Sequence, residues 1–346
     1  RVAGQVAGIV EERDATYAQK QIKEVNAGIY AFDAAFLARA LPTLETNNDQ
    51  GEIYLTDTIK LVRSEGLRVS SVLLADTVQA EGCNDRAQLA DLRAEYNRRR
   101  TRHWMMQGVT SIDPQSTWID ADVEIGADTT LYPNTQLRGN TSIGEDCRIG
   151  PDSTLIDMQI GDGAEVFRVH GLSSRIGDRA KVGPFTYLRP GTILSEDTKV
   201  GGFCETKNIR VGAGSKIPHL SYVGDATIGE QTNIGAATIF ANYDGVNKHH
   251  TNVGSYCRTG SNNVFVAPIN IGDGVYTGGG TIVRQDIPSG SLAVNDMKMR
   301  LLPGWVEKHR PDTDAAKAAR GEFGTKQGED LAPGDANGID PGEGAN

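Results

Sequence analysis

The chain has 346 residues and a formal net charge of −10, and its length predicts two or three structural units. The acidic balance argues against general binding to nucleic acids or to anionic membranes, because both require a basic surface. No apolar run is long enough to span a bilayer. The four cysteines have no CxxC spacing, which indicates free thiols in a cytoplasmic protein.

The first segment, residues 1–85, has the pattern of an α/β domain. Alternating hydrophobicity predicts strands at residues 5–10 and 24–32, and helical spacing predicts helices at residues 36–44 and 56–65. The segment is too short and too polar for an independent domain. We therefore interpret it as the C-terminal remnant of a larger domain and expect further residues to precede it.

Residues 86–107 carry the clearest helical pattern in the chain and are predicted to form a linker helix. Leu89, Leu92, Tyr96 and Trp104 lie near one face, with charged residues elsewhere. The second half of the helix contains an arginine-rich run. In so acidic a chain we interpret this run as a solvated helix face rather than a nucleic-acid patch.

A six-residue repeat dominates the next segment, which is predicted to be a β-helix domain at residues 108–309. Aliphatic side chains follow one another at an unbroken spacing of six: Ile119, Ile125, Leu131, Leu137, Ile143, Ile149 and Leu155. Neither a helix nor an ordinary strand has this period. Hexapeptides are typical of a parallel β-helix, in which three of them complete one turn, so the fold class is predicted as mostly β. The glycines that often follow the aliphatics are expected at the tight corners.

The repeat is interrupted by a polar stretch at residues 242–252, predicted to leave a corner as a loop, where functional residues are common. A short helix at residues 301–309 is expected to follow the repeats, with Trp305 docked on the last turn. Residues 310–346 are rich in Ala, Gly, Asp, Glu and Pro with almost no aromatics, and predict a disordered tail.

Two basic side chains in the second half of the repeats point to an anion site. Arg189 and Lys207 are 18 residues apart, one turn of the β-helix, so they should stack on the same corner. Two stacked cations favour binding of a phosphate group. The alternative is a pair of surface cations that contact Glu205 or solvent, and the spacing alone does not separate the two interpretations.

His219 lies about one turn from this cationic corner and three residues before Tyr222. Histidine is the side chain best suited to accept a proton near neutral pH, so His219 is the candidate general base. His249 and His250 are adjacent in the polar stretch and are interpreted as loop surface. A zinc site of the carbonic anhydrase type would need three converging histidines, and the spacing of the histidines does not favour it.

Several motifs occur together on the repeats, in the order Gly-Pro-Phe-Thr-Tyr-Leu-Arg-Pro-Gly, His-Leu-Ser-Tyr-Val-Gly-Asp-Ala, Asn-Ile-Gly-Ala and Asn-Tyr-Asp-Gly-Val-Asn-Lys. With them, the chain up to about residue 309 resembles the bacterial bifunctional family of N-acetylglucosamine-1-phosphate uridyltransferases and glucosamine-1-phosphate N-acetyltransferases. The resemblance implies a left-handed parallel β-helix that assembles as a homotrimer, with active sites in the grooves between the prisms.

The resemblance implies roles for individual residues in acetyl transfer. His219 would accept the proton of the glucosamine amine as it attacks acetyl-CoA. The expected sugar-phosphate ligands are Arg189, Lys207, Tyr222, Asn233 and Lys248. The expected acetyl-CoA ligands are Ala236, Asn242, Tyr243, Ser261 and Gly279. The family usually has alanine at the position of Gly279, and its CoA-binding arginine has no counterpart at Asp296.

The first segment resembles the end of a sugar-1-phosphate nucleotidyltransferase domain. Glu11, Asn26 and Asn84 match the family's UDP-sugar ligands, and Asn84 is also expected near Mg²⁺. The family's glycine-rich nucleotide loop would precede Arg1, so the chain is expected to be a fragment that acetylates glucosamine-1-phosphate but does not uridylate the product. The intact protein is expected to make UDP-N-acetylglucosamine from UTP in the cytoplasm, for peptidoglycan and other cell-envelope precursors.

Two further interpretations stay open at this point. The first is a non-catalytic hexapeptide solenoid that only binds a ligand or a partner. The second is another hexapeptide-family acyltransferase, which uses longer acyl chains on a nucleotide sugar. The stacked Arg189 and Lys207 fit a bare sugar phosphate better than a nucleotide sugar, so acetyl transfer to glucosamine-1-phosphate is the favoured prediction.

Overall fold

The fold was analysed in a computed structural model, which describes residues 1–2, 4–295 and 299–323. The chain divides into two compact units, residues 1–292 and residues 293–346. The first unit contains the α/β segment, the long helix and the β-helix. None of the described helices has both the length and the apolar character needed to cross a membrane.

The α/β segment forms two short helices around a small apolar core. Helix α1, Ala34–Ala40, begins at Asp33, whose carboxylate accepts a hydrogen bond from the Phe36 N–H. Helix α2, Thr58–Ser64, follows a 3-10 turn. Phe36, Ala40 and Val62 form the buried centre. The 3-10 turns of the segment are Gln19–Gln21, Leu41–Thr43, Leu55–Asp57, which precedes α2, and Thr77–Ala80.

The strands predicted at residues 5–10 and 24–32 are wrong. Within the described part of residues 1–85 no strand forms, and the ladder there is a single antiparallel bridge between Val2 and Gln5. The alternating apolar side chains of the second stretch are exposed, as Val25 and Ile29 show. A strand is stable only when neighbouring strands take its backbone hydrogen bonds and its apolar face, and these residues have no such neighbours within the part of the chain that the structure describes.

Helix α3, Arg86–Met106, forms where the linker helix is predicted. Asp85 caps its first turn by accepting a hydrogen bond from the Gln88 N–H. The buried side chains differ from the prediction, since Leu89 and Tyr96 are exposed while Asn97 and Thr101 are buried. The arginine-rich run is a solvated face only in part. Arg98 and Arg99 form ion pairs with acidic neighbours, whereas Arg100 donates to the Ala121 carbonyl of the β-helix at 2.9 Å and Thr101 is buried.

The β-helix follows α3 as a parallel solenoid of about 11 turns. Its strands in chain order are β1 Thr110–Ser111, β2 Trp118–Ile119, β3 Glu124–Ile125, β4 Thr130–Leu131, β5 Gln136–Arg138, β6 Ser142–Ile143, β7 Arg148–Ile149, β8 Thr154–Ile156, β9 Gln159–Ile160, β10 Glu165–Val166, β11 Val169–Leu172, β12 Arg175–Ile176, β13 Lys181–Val182, β14 Thr186–Leu188, β15 Thr192–Leu194, β16 Lys199–Gly202, β17 Glu205–Val211, β18 Lys216–His219, β19 Tyr222–Ile228, β20 Ile239–Ala241, β21 Thr251–Val253, β22 Val264–Val266, β23 Ile269–Ile271, β24 Tyr276–Thr277, β25 Ile282–Val283 and β26 Leu292–Ala293.

The strands stack in columns along the prism. One column runs through β1, β4, β7, β10, β13, β16 and β18, and single parallel bridges at Asn233, Arg258 and Tyr276 extend it. Strands β17 and β19 are long enough to turn a corner, since β17 pairs with both β14 and β15. The prediction of a mostly β chain built around a parallel β-helix is confirmed.

The six-residue period places the aliphatic side chains inside the prism. The seven predicted aliphatics between residues 119 and 155 are all buried, with at most 6% of any side chain exposed. Threonines two positions earlier are buried beside them. Each hydroxyl donates to a backbone carbonyl, as Thr135 Oγ1 does to Tyr132 O at 2.7 Å, so the polar atom is satisfied inside the core.

Most repeat glycines serve close approach between turns rather than the corner conformation. A Cβ on Gly177 would lie 2.5 Å from the Ser195 carbonyl carbon, and one on Gly126 the same distance from Gly144. The left-handed corner positions are instead often occupied by larger residues, such as Phe185, with φ 57°. The expectation that the repeat glycines take the corners is therefore wrong for most of them.

The second unit contains helix α4, Trp305–His309, within the predicted terminal helix, and helix α5, Asp314–Ala319, inside the predicted disordered tail. The described part of that tail is thus partly helical. Thr313 caps α5 by accepting from the Ala316 N–H, and alanines with high helix propensity continue it. Residues 324–346 of the predicted tail lie outside the described residues, and the docking of Trp305 stays a prediction.

Candidate active site

His219 ends β18 at a corner that recurs in the following turns. Three backbone hydrogen bonds link this corner to the next turns. In each, the residue that follows one corner residue donates its N–H to the carbonyl of the corner residue one turn earlier. The bonds are Ala237 N to His219 O, Asn262 N to Ala236 O, and Gly280 N to Ser261 O. His219, Ala236, Ser261 and Gly279 therefore form one column along the prism edge. The predicted general base and three predicted acetyl-CoA ligands lie on this edge.

Gly279 leaves space beside this column. A Cβ at that position would lie 3.6 Å from Ser261 O, its nearest neighbour, which is an ordinary van der Waals distance. The alanine typical of the family would fit without movement. The side chains of His219 and Ser261 are exposed beside it and that of Ala236 is half-buried, so the edge presents small residues on the C-terminal side of the histidine.

The face that follows this corner carries the predicted cations. Strand β14 pairs with β17 so that Tyr187 lies opposite Glu205 and Leu188 opposite Thr206. This register places the next residues, Arg189 and Lys207, side by side on neighbouring turns, as their spacing predicts. Arg189 Nη1 donates to Glu205 Oε1 at 2.9 Å, which raises the pKa of the guanidinium. One of the two cations therefore does pair with Glu205.

Lys248 joins this pair from the polar loop. The pKa of Lys207 is lowered, first because the Lys248 ammonium lies at hydrogen-bonding distance, and also because of partial burial and the nearby Arg189. The charge of Asp225 acts in the opposite direction. Three cations thus lie together on one face, and mutual repulsion among them would be relieved by a bound anion.

Tyr222 and Asn242 lie next to the cations. Tyr222 begins β19 and pairs in register with Glu205 on one side and Ile239 on the other. Gly224 lies beneath both side chains: a Cβ there would clash with Tyr222 Oη and would lie 2.8 Å from Asn242 Nδ2. The absence of a side chain at this position allows the tyrosine and the asparagine to meet.

The polar stretch forms the predicted loop and folds back on itself. Tyr243 and Lys248 make an antiparallel bridge, and the Asn242 carbonyl accepts a hydrogen bond from His249 N at 2.8 Å. The His249 ring lies 2.6 Å from the Asp244 carboxylate, which lowers the pKa of that carboxyl. The Tyr243 ring is 60% exposed, so its faces are open to a ligand or to another subunit.

Asn233 does not join the cation cluster. It lies in the column that contains β18, bridged to Lys216 and Arg258, and is therefore on the face before the His219 corner. Among the described residues no contact connects it with Arg189, Lys207 or Lys248. Within one chain, the predicted sugar-phosphate ligands are divided between two faces of the prism.

The residues predicted to bind a UDP-sugar are only partly associated. Asn26 Nδ2 donates to Tyr30 Oη at 2.5 Å, and the pKa of Tyr30 is raised by burial and also by the Glu11 carboxylate nearby. Asn84 is exposed and its N–H donates to Gln88 Oε1. No group of three His, Cys, Asp or Glu side chains able to hold a metal ion occurs among the described residues. Magnesium prefers several oxygen ligands, so these residues do not form a magnesium site by themselves.

Two residues that sequence reasoning missed belong to the same region. Asp225 is buried between Asn208 and Asn242, and the Asn-Asp-Asn spacing of 17 residues was a usable signal. Arg284 directly follows β25, whose register with β22 aligns it with Val266 on the cation-bearing face. It is an exposed cation on the C-terminal part of the face, two turns beyond Ala241, and a count of turns from the loop would have found it.

Comparisons with known proteins bear on the fold and on the family of the chain. Residues 122–157 match a family model described as bacterial transferase hexapeptide (six repeats), in agreement with a left-handed β-helix. The bifunctional protein GlmU of Rhodococcus opacus is 57% identical over 316 residues, which are 91% of this chain and 63% of that protein. The bifunctional protein GlmU of Corynebacterium jeikeium is 54% identical over 324 residues, 94% of this chain and 66% of the relative.

The chain belongs to the GlmU family. It spans roughly 63–66% of the length of these relatives. Among solved structures, an Arabidopsis UDP-N-acetylglucosamine acyltransferase matches with 18% identity and a TM-score of 0.39, over 63% of this chain and 85% of that one. The GlmU relatives, at more than half identity, are the stronger comparison.

Proposed function

We propose that this chain transfers the acetyl group of acetyl-CoA to the amine of glucosamine-1-phosphate, giving N-acetylglucosamine-1-phosphate. The observation that carries this proposal is the cluster of Arg189, Lys207 and Lys248 on the face that follows the His219 corner. The cluster suits a phosphate monoester, and the imidazole nearby suits deprotonation of an amine. Relatedness to GlmU proteins supports the same assignment.

In the proposed reaction, the phosphate of the acceptor occupies the cation cluster, and Tyr222 and Asn233 help to orient the sugar. The sugar amine attacks the thioester carbonyl carbon while His219 accepts the amine proton. The carbon–sulfur bond then breaks, and the CoA thiolate takes a proton from the imidazolium. No covalent enzyme intermediate is needed, because the amine itself is the nucleophile.

Acetyl-CoA would lie along the edge formed by Ala236, Ser261 and Gly279. Small residues there allow a narrow chain to approach the backbone, and Asn242 and Tyr243 border the edge from the loop. The CoA phosphates need a cation at the far end. Arg284 is the exposed arginine on this part of the face, and we assign it that role in place of the absent arginine at Asp296.

The proposed assembly is a homotrimer in the cytoplasm, without nucleic-acid or membrane partners. In it, a neighbouring prism would supply Asn233 from the face that precedes its own His219 corner. Such an arrangement would join the ligands that a single chain keeps apart. For the longer GlmU protein we propose a second activity, uridyl transfer from UTP in the presence of Mg²⁺ to make UDP-N-acetylglucosamine, with Glu11, Asn26 and Asn84 among the sugar-nucleotide ligands.

The first test measures release of CoA thiol from acetyl-CoA, with and without glucosamine-1-phosphate. We expect release only with the amino sugar, and a loss of roughly 10²–10⁴-fold in His219→Ala, the usual contribution of a general base. His103→Ala is the matched control, because His103 is also exposed but lies on helix α3 and not on the cation-bearing face. It should retain wild-type rates.

Other outcomes separate the remaining interpretations. Release that survives in His219→Ala would preserve the activity and remove the assignment of the base. No release from folded protein would favour a non-catalytic solenoid. Faster turnover with longer acyl chains and a nucleotide sugar would replace this proposal by another acyl transfer.

A further inference from the structure

Asp225 is a buried carboxylate inside the candidate site to which the proposed reaction gives no role. It lies in β19, one residue after Gly224, which pairs in register with Lys207. Only 8% of the residue is exposed, and its backbone is left-handed, with φ 48°. Burial of a charge is unfavourable unless the charged group is hydrogen-bonded. The hydrogen-bond partners of this carboxylate therefore indicate its role.

Each oxygen of Asp225 has one amide donor from a neighbouring turn. Asn208 Nδ2 donates to Oδ1 at 2.7 Å from the preceding turn, and Asn242 Nδ2 donates to Oδ2 at 2.5 Å from the following one. Asn208 has the same left-handed backbone, with φ 48°. The three side chains form a short ladder that ends at the first residue of the polar loop.

The charge of Asp225 is maintained by its surroundings. Burial raises the pKa of this carboxyl, but the amides of Asn208 and Asn242 and the charges of Lys207 and Lys248 lower it further, so the net direction is downward. Asp225 is therefore ionised at neutral pH and is a nearby counter-charge of the cation cluster. An ionised carboxylate can only accept hydrogen bonds.

The acceptor-only carboxylate determines which way the Asn242 amide points. Its Nδ2 is committed to Asp225, with a longer contact of 3.5 Å to Tyr222 Oη. Asn242 Oδ1 is then the end of the amide offered to a ligand, and among the described residues no donor contacts it. The Asn242 carbonyl also accepts from His249 N, so the same residue anchors the base of the loop.

We propose that Asp225 is a positioning residue, which holds the Asn242 amide so that Oδ1 can accept an N–H of the pantetheine arm of acetyl-CoA. This inference rests on the proposed function, since it assigns Asp225 to the acetyl-donor side of that reaction. The inference gives this carboxylate two effects. Its hydrogen bond orients Asn242 in the acetyl-CoA site, and its negative charge reduces the repulsion among the cations of the sugar-phosphate site.

The test is Asp225→Asn, which keeps the size and tolerates the left-handed backbone. One end of the new amide is an NH₂ group that must face the NH₂ of Asn208 or of Asn242, so the fixed orientation is lost. We expect the KM for acetyl-CoA to rise at least fivefold. The KM for glucosamine-1-phosphate should not rise, because the cations lose a counter-charge that competes with the phosphate.

Two further variants test the ladder. The exchange Asp225→Asn with Asn242→Asp keeps one carboxylate in it. The amide at 225 then accepts from Asn208 and donates to the carboxylate at 242, whose second oxygen is still an acceptor, so both the unfolding midpoint and the KM for acetyl-CoA should return toward wild type. Asn208→Gly removes the other donor without straining a left-handed position, as Gly191 one turn earlier indicates. It should change the KM for acetyl-CoA less than twofold.

Calorimetry on the same proteins measures the dissociation constant of CoA. This measurement does not depend on the sugar substrate, glucosamine-1-phosphate. If wild-type protein binds CoA but releases no thiol with glucosamine-1-phosphate, the proposed function fails, and the CoA affinities still report on Asp225. Unchanged CoA affinity in Asp225→Asn overturns the positioning role. If that variant does not fold, the exchange variant decides: CoA affinity at least fivefold weaker than wild type in a folded exchange variant also overturns the role.

Discussion

Two glycines of the candidate site show how a missing side chain acts at the scale of single residues. Gly224 lies under Tyr222 and Asn242, where a Cβ would be 2.8 Å from Asn242 Nδ2. Gly279 lies in the column that also contains His219 and Ser261, where the nearest atom to a Cβ would be 3.6 Å away. The same substitution by alanine therefore tests crowding at one position and open space at the other.

We predict opposite results for the two alanine variants. Gly224→Ala should displace the tyrosine and the asparagine and lower kcat/KM for acetyl transfer at least tenfold, because a displacement of about 1 Å can cost far more than tenfold in rate. Gly279→Ala should stay within about twofold of wild type. Thiol release at limiting acetyl-CoA measures both. Equal activity of the two variants would contradict the assignment of Gly224.

The sequence predicted which residue types gather at the site but not how each is held. The 18-residue spacing was sufficient to stack Arg189 and Lys207, because the turn length of the β-helix fixes that distance. The pairing of Arg189 with Glu205 and the contact between Lys207 and Lys248 depend on side-chain conformations. Asp225 was missed because the 17-residue spacing that links it to Asn208 and Asn242 departs from the 18-residue turn on which the prediction of the site relied.

At the scale of elements, helix α3 closes the exposed start of the β-helix through one amide. Asn97 Nδ2 donates to Thr117 O at 2.7 Å, and its Oδ1 accepts from Ile119 N at 3.0 Å. These two backbone groups belong to the first turn, which has no preceding turn to pair with. The side chain thus takes the place of a missing strand.

Asn97→Ala should destabilise the protein by roughly 2–4 kcal/mol, because it leaves a buried donor and a buried acceptor without partners. Urea unfolding followed by circular dichroism measures the change. Arg102→Ala on the same helix is the control, since Arg102 is exposed, and it should change the free energy of unfolding by less than about 0.5 kcal/mol. A similar decrease in the free energy of unfolding in both variants would contradict the role of the Asn97 amide and would attribute the effect to helix propensity.

Helix α3 shows which features of an element could be predicted from the sequence. Its length and its ends could be predicted, since Asp85 is a strong N-cap and no proline interrupts the run. Its buried face was not, because the contact with the β-helix uses an asparagine and a threonine instead of the leucines. The β-helix strands were more predictable, as each turn repeats the same inward position. The prediction of strands at residues 5–10 and 24–32 failed because these residues have no strand to pair with in residues 1–2, 4–295 and 299–323.

At the scale of the whole molecule, an apolar column marks the edge on which His219 lies. Phe185, Phe203 and Leu220 occupy left-handed positions of successive turns on that edge, and all are exposed. The Phe185 and Phe203 rings stack with centroids 5.2 Å apart. Exposed aromatic side chains stacked in line are typical of an interface, and the proposed trimer would cover them and bring a second prism beside His219.

Phe203→Asn tests this assignment, because asparagine removes the ring and tolerates the left-handed backbone. Burial of a phenylalanine contributes about 1.5–3 kcal/mol, so the dissociation constant of the trimer should rise at least tenfold. Sedimentation equilibrium measures it, and acetyl transfer should fall with the trimer fraction. Tyr256→Asn is the matched control, since Tyr256 is also exposed and left-handed, with φ 59°, but lies on another corner. Wild-type protein that sediments as a monomer yet acetylates would refute the proposed trimer, and a Phe203→Asn trimer as tight as the control would move the interface to another edge.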